Sequence, residues 1–121
     1  MTIPPLSSSG FAEPVSFESP LMQKFYNEWT FWYNNPTKET ALPLLHFLEK
    51  HQAHFDAVGS KLPCPFGPKY TESFEDTLSG AINILTLWIA NPNPNITTPV
   101  SELIANVYDW LNQAGGGGHG R

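Results

Sequence analysis

SFEDTLSGAINILTLWIA, Ser73 to Ala90, is the most apolar run in the chain that is long enough to form a whole helix. At about 100° per residue, Phe74, Leu78, Ala81, Ile82, Leu85, Trp88 and Ile89 share one face. Thr77, Gly80, Ile84 and Leu87 form a second stripe beside it, which widens the apolar arc to about 220° by the same step. Glu75, Asp76, Ser79, Asn83 and Thr86 leave only a narrow polar strip. A helix that is apolar around most of its girth is buried among neighbours. The stretch therefore predicts the hub of a small all-α domain. Thr71 or Ser73 serves as its N-cap, and Asp76, three residues after Ser73, makes a variant capping box.

On the amino-terminal side of the hub, residues 60–70 (SKLPCPFGPKY) hold three prolines and one glycine. They read as an irregular loop, longer than the usual connection between helices. Before the loop, Ala41 to Val58 has helical spacing, with Leu44, Leu45, Phe47, Leu48, His51, Phe55 and Val58 on the inner face. Gly59 suits the C′ position of that helix. Pro43 would remove a hydrogen bond deep inside a helix, so residues 37–40, capped by Thr37 or Thr40, are expected to form a separate turn. Asn34-Asn35-Pro36 stops an earlier helix, because the residue before proline is driven out of the helical region. That helix starts at Ser19-Pro20, a hydroxyl cap followed by Pro at the first helical position. Its broad apolar face is Leu21, Met22, Phe25, Tyr26, Trp29, Trp32 and Tyr33. Phe31 falls instead among Lys24, Asn27, Glu28 and Thr30.

On the carboxy-terminal side, Asn91-Pro92-Asn93-Pro94-Asn95 breaks the hub, and Thr98-Pro99 repeats the cap-then-Pro start. A last helix then reaches Gln113, with Val100, Leu103, Ile104, Val107, Tyr108, Trp110 and Leu111 on or beside one face. No period-two pattern is long enough to build a sheet. The expectation is a four-helix antiparallel bundle or an irregular orthogonal helical array with Pro-rich loops. Residues 1–18 read as a flexible amino-terminal arm, able to dock through Phe11, Val15 and Phe17, residues 19–114 as the helical domain, and residues 115–121 as a flexible Gly-rich tail.

The composition narrows the function classes. The chain has 121 residues, one ordinary domain, and 40% of them are hydrophobic, enough for a core. A net charge of -5 with six Lys and Arg and no basic run argues against nucleic-acid or anionic-membrane partners. The first ten residues, MTIPPLSSSG, lack the basic and apolar regions of a signal peptide. The hub carries Glu75, Asp76 and Asn83, which disfavours a membrane span. A single cysteine, Cys64, rules out a disulfide within the chain and suits a reducing, cytoplasmic setting. Asn95-Ile96-Thr97 matches the glycosylation sequon, but in that setting it reads as a cap and turn.

Candidate chemistry is sparse. His46, His51 and His54 lie on one predicted helix, and only His51 and His54 share a face at the spacing a metal needs. His51 sits in the middle of the apolar face, where a core imidazole is the plainer reading. Cys64 stands between two prolines, and its Cys-Pro pair resembles the short haem-responsive motif. A small thiol packed under a loop is the plainer reading. Ser, His and acidic residues occur without a local signature linking nucleophile, base and orienting group, so an enzyme is not expected. The four glycines at 115–118 follow a helix rather than precede one and cannot cradle phosphate. No cofactor is expected.

What remains is apolar surface. Something must cover Ile84 and Leu87, and Gly80 on the same stripe invites close approach of another backbone. Phe31, beside Trp32, has the character of an interface anchor. The expected partner-binding set is Phe31, Trp32, Thr77, Gly80, Ile84 and Leu87, lining an apolar, aromatic groove for a short peptide or helix of another protein. The predicted role is a non-catalytic adaptor or assembly factor. The alternative is a small-molecule, haem or metal-responsive sensor using His51, His54 or Cys64. The Asn-Pro-rich turn NPNPNITTP, the PPLSSSG opening and the dense Trp content resemble small helical accessory proteins of cyanobacteria that help assemble carboxysomes or phycobilisomes. That resemblance implies an assembly partner carrying a short tail or loop.

Overall fold

Ser73 does cap the hub helix: its hydroxyl accepts the Asp76 N–H at 3.0 Å. Glu75 and Asp76 in the first turn complement the helix dipole. The hub, α4 (Phe74–Ala90), buries all seven residues of its predicted main face. The computed structural model describes residues 20–113, so the arm, the tail and the proposed Ser19 cap lie outside the described residues. Among the described residues the secondary structure is helical throughout. The helices are α1 (Pro20–Asn34), α2 (Lys38–Lys50), α3 (Gln52–Gly59), α4 and α5 (Thr97–Asn112), with a 3-10 turn at Pro94–Ile96 before α5. None of these helices is long and apolar enough to cross a membrane.

Four of the helices form a closed ring. α1 packs on α2, α2 on α4, α4 on α5, and α5 back on α1. Ring contacts fix the directions. Trp29, midway along α1, meets Ser101 near the start of α5, while Tyr26, nearer the start of α1, meets Tyr108 near the end of α5. α1 and α5 are therefore antiparallel. Trp32 and Trp88, near the ends of α1 and α4, meet across the centre with centroids 5.3 Å apart, so those two run parallel on the diagonal. The short turns after α1 and α4 complete an up-down-up-down bundle.

The predicted single helix from Ala41 to Val58 is two helices. α2 already starts at Lys38, because Thr37 and Thr40 form a reciprocal capping box. Pro43 lies inside α2 on its exposed side, as does Glu39, whose carbonyl loses its helical donor to the proline. The chain then bends at His51 (φ -102°, ψ 9°). The bend turns α3 across the end of the bundle and sets Phe55 5.9 Å from both Phe25 and Phe47. Gly59 is not a left-handed cap. It ends α3 under the Phe74 ring, where a Cβ would lie 2.5 Å from ring carbons. The left-handed glycine is Gly67 (φ 89°), in the long loop.

That loop closes the same end. Trp110 Nε1 donates to the Leu62 carbonyl at 3.2 Å, and Gln113 Nε2 donates to the Pro63 carbonyl at 2.8 Å. Phe66, Tyr70 and Phe74 each present an edge to the Trp110 ring, with centroids 5.4–6.1 Å away. α5 begins at Thr97, two residues before the predicted first helical residue Pro99, because the turn capped by Asn93 leads straight into it. Thr98 instead shares a hydrogen bond with the Tyr33 hydroxyl at 3.2 Å. On α1, only Met22, Phe25 and Trp32 are buried; Tyr26 and Tyr33 edge the surface at the seam with α5.

Candidate functional site

The six residues of the expected partner-binding set do not form one surface. Trp32 is fully buried against Trp88, inside the ring. Thr77 is buried too: its hydroxyl pairs with the Tyr70 hydroxyl at 2.6 Å and donates to the Ser73 carbonyl at 2.9 Å. The loop thus covers the upstream end of the hub's second stripe at Thr77, through Tyr70. Ile84 is half-buried. Gly80 faces open space, and among the described residues no atom beyond its own helix lies within 4 Å of a Cβ built there. Leu87 is 65% exposed and Phe31 57%, each the chain neighbour of one member of the buried Trp32–Trp88 pair.

The seams of the ring differ in closure. Between α1 and α5 the contacts are close: Trp29 Nε1 donates to Ser101 Oγ at 2.8 Å, and the Tyr108 ring packs on Phe25, Tyr26 and Trp29. Between α1 and α2 lies a groove of about 230 Å³, lined by Lys24 and Glu28 on one side and by Pro43, His46, Phe47, Lys50 and His51 on the other. Helical spacing puts Phe31 on the Lys24–Glu28 stripe, one turn beyond Glu28. The buried Phe47 forms an apolar floor, and Pro43 a rigid exposed wall.

The groove concentrates positive charge on an acidic chain. Lys24 and Lys50 are two of only six Lys and Arg residues in the sequence, which carries a net charge of -5. Glu28 opposes them and pairs with Lys24 at 3.0 Å. His46 and His51 add two imidazoles, and His54 stands one turn further on α3. His51 packs its ring on Phe47 with centroids 4.7 Å apart. Burial holds its imidazole below the ordinary histidine range, and the charges of Lys50, His54 and Lys24 push the same way. His51 is thus neither the buried core group expected nor a free surface histidine, but half-buried at the groove's edge.

The alternative sites look different in three dimensions. Among the described residues, no three His, Cys, Asp or Glu side chains are grouped to hold a metal ion. Cys64 is half-buried in the loop and packs against the core cluster, its Sγ accepting the Phe66 N–H at 3.4 Å. The sequence reading missed the groove because its lining comes from two helices whose pairing no local pattern reveals. The one available signal was the clustering of three histidines and a lysine within nine residues of sequence, His46 to His54. No family model, curated protein or solved structure matches this chain.

Proposed function

We propose that this chain is a non-catalytic protein-binding module, an adaptor or assembly factor that takes a short segment of a partner along the α1/α2 groove. The observation that supports it most is the groove itself, an apolar floor of Phe47 between charged rims, with the exposed Phe31 one turn beyond its α1 wall. Interfaces favour an aromatic anchor beside a groove, ringed by polar groups that fix register. The resemblance to carboxysome and phycobilisome assembly proteins favours an assembly subunit as the partner. The test is site-specific photocrosslinking in the native host, with benzoylphenylalanine in place of Phe31 on α1 or of Leu103 on α5. Adducts from position 31 should map to one short segment of one protein, and position 103 should not yield them. Equal adducts from both positions, or none mapping to a defined segment, would overturn the reading.

A further inference from the structure

The groove's chemistry specifies more than a partner of some kind. Its rims carry Lys24, Lys50, His46 and His51 against a single carboxylate, Glu28, which Lys24 already engages. The titratable groups around His51 are Lys24 and Glu28 on α1, Lys50 and His46 on α2, and His54 on α3, of which Glu28 alone is acidic. With the histidines neutral, the lining already has a surplus of one positive charge on a chain of net charge -5. A carboxylate-bearing segment would meet this lining, whereas a basic one would meet it unfavourably and would be drawn to the rest of the molecule instead. The polyanionic backbone of a nucleic acid would contact two lysines here but feel the repulsion of the whole acidic body. The apolar floor of Phe47 and the adjacent Phe31 favour side chains over phosphates.

Resting on the protein-binding reading above, we infer that the groove takes an acidic peptide segment, one carrying both carboxylates and large apolar side chains, and that His51 gains a proton as it binds. The sign follows from charge. A bound carboxylate favours the imidazolium form, so a proton is taken up on binding and affinity rises as pH falls from 8 to 6. Below about pH 4.5 the peptide's own carboxylates protonate and the gain reverses.

The test uses the full chain and two fluorescein-labelled dodecapeptides, three repeats of Glu-Glu-Leu-Leu and three of Lys-Lys-Leu-Leu, read by fluorescence anisotropy. The Glu peptide should bind saturably and at least threefold more tightly at pH 6 than at pH 8. Lys24→Gln with Lys50→Gln, both exposed and checked for fold by circular dichroism, should weaken it at least tenfold. His51→Gln should remove the pH gain, so that the Glu peptide binds equally at pH 6 and pH 8, and a threefold gain that survives the substitution would overturn the assigned proton uptake. Preferential binding of the Lys peptide in a manner lost on Phe31→Ser would keep the groove as a protein-binding site and overturn its acidic preference alone. Tighter binding of a labelled dodecauridylate than of the Glu peptide would overturn the assignment in favour of RNA. Glu-peptide binding that appears only after Glu13→Lys with Glu18→Lys would assign the groove to the chain's own amino-terminal segment and overturn the external partner.

Discussion

Two glycines of this chain do opposite work, and neither role was legible. Gly59 has the Phe74 ring where a side chain would begin, and Phe74 is itself 1% exposed and cannot swing away. Gly59→Ala should therefore cost at least about 2 kcal/mol, as overpacking in a closed core does, measurable by urea denaturation. Gly80 looked in sequence like the position of close approach, yet its Cβ direction is open. Gly80→Ala should stabilise the hub by about 0.5–1 kcal/mol through helix propensity alone. The two were indistinguishable in sequence because the packing partner of Gly59 is 15 residues away, across a proline-rich loop. A third position, Thr97, buries its hydroxyl without a hydrogen-bond partner among the described residues. Thr97→Val keeps the shape, removes that unpaired group, and should raise stability by about 1 kcal/mol in the same assay.

At the scale of elements, the hub was legible almost to the residue. Its apolar period and its Ser73 cap are properties of one continuous segment, and a segment's own pattern is what sequence displays. The second helix was not, for a physical reason: Pro43 and His51 both act against local expectation. Proline is disfavoured inside a helix, but Pro43 sits on the solvent side of α2, after a Thr37–Thr40 capping box strong enough to start the helix early. The bend at His51 is imposed by tertiary packing of Phe55 on Phe25 and Phe47 and has no breaker residue to announce it. Pro43→Ala should restore a backbone hydrogen bond to Glu39 and stabilise the protein by on the order of 1–3 kcal/mol, seen as a higher midpoint in thermal denaturation. The groove was illegible for the same reason as the bend, since it exists only once α1 and α2 are side by side.

For the molecule as a whole, the titrating groups set opposing limits on stability. His51 has its proton affinity lowered by burial, so the folded state resists its protonation. Its share of stability is complete above the unfolded value near 6.5 and is lost as pH falls below that point. Asp56 has the reverse character: burial, then the charge of Glu75, raises it, so the fold favours its neutral form and its contribution fades as pH rises above the ordinary carboxylate range. Asp56→Asn should therefore stabilise the protein at pH 7 and steepen the acid limb of a stability–pH curve, because the stability that Asp56 gains as pH falls is lost with it. Tyr108 marks the alkaline limb: burial, helped by Tyr26 and Asp109, raises its phenol to about 12. Stability should fall between about pH 10 and 12, and Tyr108→Phe should remove much of that slope. The Trp32–Trp88 pair has a further, optical consequence. Two indoles 5.3 Å apart with planes at 89° are electronic oscillators held in a fixed asymmetric frame. Their coupled absorption gives a near-ultraviolet dichroic band whose strength depends on the diagonal of the bundle staying closed, so a spectrometer can follow tertiary order in the unlabelled protein separately from its helix content.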